Sequence, residues 1–257
     1  MIKLLEQTDI IGTLKNNREI EIKVSFEDEG ADFIDILKLR FICIEADVPI
    51  TLKIGGPEAI RDIKDANKLN INRLVAPMIE SSFALEKYIK ACNRFLKGSS
   101  PYLAINIESI DAVNSFTKIR KSEFYKNLNG ITIGRGDLVQ SMRLKRYDGS
   151  VNSDEILEIC TKIFTQVNND NKLCTLGGSM TENSEEFVKK LTEMSLLHKF
   201  ETRNIIYHTS SLNTFRFKEL VNLALQLEYD QMNSRRKYYE SLYNQDYQRI
   251  KRLSELF

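Results

Sequence analysis

The sequence predicts an α/β fold: a (β/α)8 barrel of the TIM type with a long C-terminal helical extension. Three observations predict it. Short β-rich runs alternate with longer amphipathic runs, the order that builds βα units on a parallel sheet. The β-rich runs have one apolar and one polar face. The length, 257 residues, matches the roughly 250 of a single barrel.

Strands are predicted at residues 20–26, 50–54, 73–78, 102–107, 130–133, 173–176 and 204–207. An eighth is either irregular or hidden near residues 8–14. Helical patterns occupy residues 31–46, 57–69, 81–96, 153–167 and 183–197. Pro57 suits a first helical turn, where its missing N–H costs nothing. The strand faces argue for closure. Ile20, Ile22, Val24 and Phe26 oppose Glu21, Lys23, Ser25 and Glu27. Leu103, Ile105 and Ile107 oppose Ala104, Asn106 and Glu108. A strand of an open parallel sheet is covered on both faces and reads as a continuous apolar run. One apolar face and one small or polar face suit helices outside and a barrel interior within. An open doubly wound sheet is the alternative.

Residues 1–210 are expected to form the barrel catalytic domain, and residues 211–257 a helical extension. In the extension Leu225, Tyr229, Met232, Tyr239, Tyr243, Ile250 and Leu253 recur at nearly heptad spacing, interrupted by Arg236 and Asp246. The helix packs either on its own barrel or on another subunit, making a homo-oligomer.

Composition excludes several classes. The net charge of +1 gives no general attraction for nucleic acid or a membrane surface. No run approaches the ~20 apolar residues of a membrane span. The first apolar stretch is broken by Glu6, Gln7 and Asp9, unlike a secretory signal. Cys43, Cys92, Cys160 and Cys174 stand singly in apolar settings with no CxxC pair, as buried thiols of a cytoplasmic protein do.

The chemistry concentrates at strand ends. In residues 129–142 a short β run stops at Gly134-Arg135-Gly136-Asp137 and a helix follows. Glycines at a strand-to-helix turn let backbone N–H groups approach an anion, so a substrate carboxylate fits there. Asp137 then projects into the mouth, or simply caps the helix. Glu108 ends a lumen-facing row, where a carboxylate is costly unless paired or metal-bound. It lies one βα unit before Asp137. Two carboxylates without His or Cys suit Mg2+ or Mn2+ rather than zinc. The alternative for Glu108 is a salt bridge to Lys53 or Lys23.

Gly55-Gly56 and Gly177-Gly178 each follow a strand and precede a helix. They are anion sites or tight turns. Lys23 and Lys53 face the lumen and would stabilise a developing oxyanion, a Schiff base being the rival role. Glu27 and Glu80 are further acids near strand ends, either proton carriers or helix caps. His208 follows the last predicted strand, within reach of the mouth.

At these residues the chain resembles the HpcH/HpaI aldolase and citrate lyase β-subunit group of the phosphoenolpyruvate/pyruvate barrels. LVAPMIES, LAINIES and GITIGRGDLVQSM are similar to that group's Pro-Met strand, metal-glutamate strand and metal-aspartate strand, in the same order over roughly residues 18–210. The resemblance implies a divalent metal on Glu108 and Asp137, chelated by pyruvate, its enolate or another oxoacid. It implies a substrate carboxylate against the N–H groups of 134–137 and reversible C–C cleavage or formation, for which Lys53 or Arg135 would add positive charge. Phosphoenolpyruvate is the alternative donor. It also implies a C-terminal helix exchanged between subunits. The chain departs from the group in lacking a His in FEDEGAD, in having Lys53 where the group has Arg, and in having Asn106 where pyruvate kinase has Lys. A non-catalytic barrel that binds an acid metabolite or a partner protein is the competing reading.

Overall fold

The computed structural model describes residues 19–26, 31–97, 100–146 and 149–257. Eight strands close a barrel in chain order. They are β1 (Ile20–Ser25), β2 (Ile50–Lys53), β3 (Arg73–Ala76), β4 (Tyr102–Ile107), β5 (Gly130–Gly134), β6 (Leu173–Gly177), β7 (Lys199–Glu201) and β8 (Ile205–His208). The predicted barrel is present, with one departure. β1 to β7 run parallel, but β8 runs antiparallel to both β7 and β1.

The missing eighth strand is β7. Its three residues carry a charge on either side of Phe200, too short and too polar to read as a β run. Residues 8–14 lie outside the described residues. A parallel pair needs a crossover of a dozen or more residues, whereas an antiparallel pair needs only a turn. Thr202, Arg203 and Asn204 supply that turn, and the Thr202 N–H donates to the Ile205 carbonyl at 2.9 Å.

The α-helices are α1 (Phe33–Glu45), α2 (Ile60–Lys68), α3 (Ser82–Phe95), α4 (Ile110–Arg120), α5 (Arg135–Ser141), α6 (Asp154–Asn169), α7 (Glu185–Glu193) and α8 (Phe217–Ser254). Side chains of Asp32, Ser81, Ser109 and Ser153 cap α1, α3, α4 and α6 by accepting first-turn N–H groups. Pro57 sits ahead of α2 rather than in its first turn. α4 has no counterpart among the predicted helices; it buries only Ala112, Phe116 and Ile119. Outward strand residues such as Leu52, Leu74, Ile105, Ile131 and Leu176 meet the helices in one continuous core. α8 joins that core through Phe217, Leu220, Val221, Ala224 and Leu227. No helix among the described residues is long and apolar enough to cross a membrane.

The floor of the lumen is ionic. Glu21 is buried and accepts from Thr51 Oγ1 at 2.6 Å, Arg73 Nη2 at 2.9 Å and Lys199 Nζ at 2.5 Å. Burial opposes its charge, but the hydrogen bond from His208 and the charges of Lys199 and Arg73 outweigh that and hold its carboxyl well below the usual range. Burial also pushes the Lys199 ammonium down, against the pull of Glu21. His208 thus lies at the floor and not at the mouth, because β8 is inverted. Its ring stands 3.3 Å from Glu19 and 3.4 Å from Glu21.

Candidate active site at the barrel mouth

A cavity of about 310 Å3 opens at the carboxyl ends of the parallel strands. Lys23, Lys53, Glu108, Gly134, Asp137 and Gly178, all singled out in the sequence, line it together. So do Asn106, Arg146, Ser179 and Glu201, which the sequence reading did not assign to the site.

Glu108 follows β4 and is only 3% exposed. Its Oε1 accepts the Met78 N–H at 3.0 Å, and its Oε2 accepts Asn106 Nδ2 at 2.9 Å. Burial raises its pKa; Lys53, Asn106 and Met78 pull it back less, and Asp137 adds to the rise. Met78 holds a left-handed φ of 52°, costly for a side chain with a Cβ, and this conformation accompanies the turn of its amide toward Glu108. Gly134 faces the same carboxylate. A Cβ there would lie 2.7 Å from Glu108 Oε2.

Asp137 sits in the first turn of α5, half exposed, with Arg146 Nη1 3.8 Å from its Oδ1. Arg146 Nε donates to Ser179 Oγ at 2.8 Å. Lys23 is ion-paired with Glu201, and Arg203 with Glu228 at 3.3 Å on the rim. Cations and acids therefore alternate around the cavity.

The other expected residues have different surroundings. Arg135 is fully buried and lines no part of the cavity. Its guanidinium donates to the carbonyls of Gly177, Gly178 and Val151 and to Asn152 Oδ1, and lies 4.8 Å from the Phe187 ring. Burial lowers its pKa to about 10. Its bonds fix the loop after β6; the arginines that line the cavity are Arg146 and Arg203. The Gly55 N–H already has an anion, Asp62 Oδ2 at 2.7 Å, and neither Gly55 nor Gly56 lines the cavity. Glu80 accepts from Ser109 Oγ, also off the cavity. Gly136 and Gly177 are buried, under Arg146 and Glu201 respectively. Glu27 lies outside the described residues.

Among the described residues no group of three or more His, Cys, Asp or Glu could hold a metal. The donors nevertheless fit a hard cation. Glu108 and Asp137 share the cavity, and Asn106 Oδ1 is buried without a hydrogen-bond partner among the described residues. An all-oxygen, incomplete set suits an ion that retains water. Positive charge there also offsets the burial that raises the Glu108 pKa.

A sequence profile of the HpcH/HpaI aldolase/citrate lyase family matches residues 52–196, more than half of the chain. The chain belongs to that family. Among solved structures, an HpcH/HpaI aldolase from Desulfitobacterium hafniense DCB-2 is similar, with a TM-score of 0.60 and 12% identity over 71% of this chain and 78% of that one. A HpcH/HpaI aldolase/citrate lyase family protein from Burkholderia cenocepacia J2315 gives 0.58 and 11% over 73% and 80%. Citrate synthase SbnG gives 0.62 and 15% over 88% and 90%. At such identities the likeness is one of fold. Among curated protein sequences none matches. The family stretch carries Lys53, Glu108, Asp137 and Gly178, and leaves β1, the β7–β8 hairpin and α8 outside it.

Gly178 gives the loop its closest backbone approach. Its φ is +82°, and a Cβ would stand 2.3 Å from the Gly136 nitrogen. Gly178→Ala is expected to cost about 2–4 kcal/mol, combining positive-φ strain with overpacking. Urea unfolding measures it; an unchanged midpoint refutes this account of the loop.

Proposed function

We propose that this protein is a divalent-metal-dependent carbon–carbon lyase or aldolase. It works through an enolate derived from pyruvate or phosphoenolpyruvate, on an oxoacid or sugar-acid substrate. The observation that carries the reading is Glu108 and Asp137 on one cavity at the mouth of a barrel of this family. These carboxylates, with Asn106 Oδ1 nearby, would hold Mg2+ or Mn2+. When bound, the ion supplies positive charge against an enolate oxygen.

The chain's own residues do the rest. Lys53, beside Glu108, adds fixed positive charge on the same wall. Arg146, steadied by Ser179, supplies the added positive charge that the sequence suggested for Arg135. Lys23 donates a hydrogen bond to Glu201 on the cavity wall, and the pair can hold or pass a proton there. Gly134 leaves room for the Glu108 carboxylate, and Gly178 lets the loop after β6 lie against the backbone of residues 134–136. The four free, buried cysteines suit the reducing cytoplasm. The exposed apolar side chains of α8 make it the contact between copies in a homo-oligomer.

Titration calorimetry with oxalate, a mimic of the pyruvate enolate, tests the site. Mg2+ or Mn2+ is expected to tighten oxalate binding roughly tenfold or more, and oxalate to tighten the metal equally, as linkage requires. Independent binding of the two would instead favour a barrel that holds an acid metabolite without turning it over.

A further inference from the structure

Beyond Leu227 the helix α8 leaves its barrel. Tyr229, Met232, Tyr239, Tyr243 and Ile250 are each 60–67% exposed. Along this stretch the seam is a heptad with two rows. One row holds Tyr229, Arg236, Tyr243 and Ile250; the other holds Met232, Tyr239, Asp246 and Leu253. Each row carries one charge, and the two charges are opposite.

That asymmetry selects an orientation. In a parallel, in-register pair each seam residue meets its own copy, so Arg236 faces Arg236 and Asp246 faces Asp246. In an antiparallel pair the first row faces the second. Setting Arg236 against Asp246 of the second copy then fixes every other layer. Tyr229 faces Leu253, Met232 faces Ile250, and Tyr239 faces Tyr243, with each layer repeated by the two-fold axis. No apolar seam residue is left against a charge. Among the described residues Arg236 bonds only locally, to Glu240 and Asn233, and Asp246 has no ion pair. The flanking positions oppose this weakly: Arg235 approaches Arg249, and Glu240 its own copy. Such solvated pairs contribute little beside the seam.

We infer that α8 pairs with α8 of a second copy as an antiparallel two-stranded coiled coil whose register is set by Arg236 and Asp246. This rests on the reading of α8 as the contact between copies. The two barrels then lie at opposite ends of the coil.

Analytical ultracentrifugation of the full chain tests the inference. Arg236→Asp and Asp246→Arg should each weaken dimerisation by about tenfold or more, because each sets like charges together in this register. The double variant on one chain should restore it. Disulfide trapping gives a second readout, since Cys43, Cys92, Cys160 and Cys174 are buried. Met232→Cys and Ile250→Cys chains should cross-link when mixed, and neither should link to itself. A wild-type chain that stays monomeric overturns the contact reading and the register together. An oligomer indifferent to the charge variants, or Met232→Cys chains that link to one another, overturns the register alone.

Discussion

Glu108→Gln is expected to abolish metal-dependent enolisation of pyruvate while leaving the barrel as stable as before, or more stable. Exchange of the methyl protons of pyruvate with deuterium, followed by NMR, reads enolate formation without knowledge of the acceptor. A loss of roughly a thousandfold is the scale for removing charge stabilisation at a developing oxyanion. The stability half of the prediction comes from the sign of the pKa shift. Burial raises the Glu108 pKa above its unfolded value. A carboxyl with a raised folded pKa favours folding in its protonated form, so its ionisation at neutral pH works against the fold. Glutamine keeps an oxygen for the Met78 N–H and removes that charge. A variant that is dead and unfolded would leave no case for a site selected against stability. Asp137→Asn is expected to lose exchange as well, at little cost in stability, since Asp137 is half exposed. Exchange that survives both substitutions sinks the metal–enolate reading.

The sequence revealed what periodicity encodes. Alternation in β1, β2 and β4 separated the helix-facing side chains from those of the lumen, and so brought Lys23, Lys53 and Glu108 to one interior. It did not reveal what depends on chain direction or on a partner distant in sequence. Lys199–Glu201 is a strand because β6 and β8 flank it, and its own three residues carry no β signal. His208 points to the floor only because β8 is inverted. Arg135 and Arg146 could not be ranked from spacing: Arg135 finds carbonyl partners 16 to 43 positions away, which empties it from the mouth. Gly55 looked like an anion site because its N–H does bind an anion, but the anion is Asp62 of the same chain. Asn106, one turn of the pleat before Glu108, reads in the sequence only as a departure from a relative's lysine; its contact with Glu108 needs the folded strand.

Glu21→Gln is expected to destabilise the barrel by roughly 3–5 kcal/mol, the usual cost of removing one partner from a buried ion cluster. For a chain of this size that lowers the thermal midpoint by roughly 6–20 °C. The reason lies in what Glu21 holds. Lys199 and His208 are register partners on the antiparallel β7–β8 pair, and both reach Glu21 on β1. One carboxylate thus ties the inverted strand across the seam that closes the barrel. The buried Lys199 and the half-buried Arg73 would remain around a neutral amide. The pH dependence has a definite sign. The folded pKa of Glu21 is depressed, so its contribution is complete above the unfolded value of about 4.3 and declines as pH falls below it. Wild type and variant should therefore differ most at neutral pH and converge in acid. Equal urea midpoints at pH 7 would refute the role. Hydrogen exchange locates the damage: the His208 N–H, bonded to the Glu19 carbonyl at 3.0 Å, should lose protection before the amides of β4 and β5. Substituting Lys199→Met together with Glu21→Gln should recover part of the loss, because the deficit comes from stranded positive charge and not from the missing carboxylate itself.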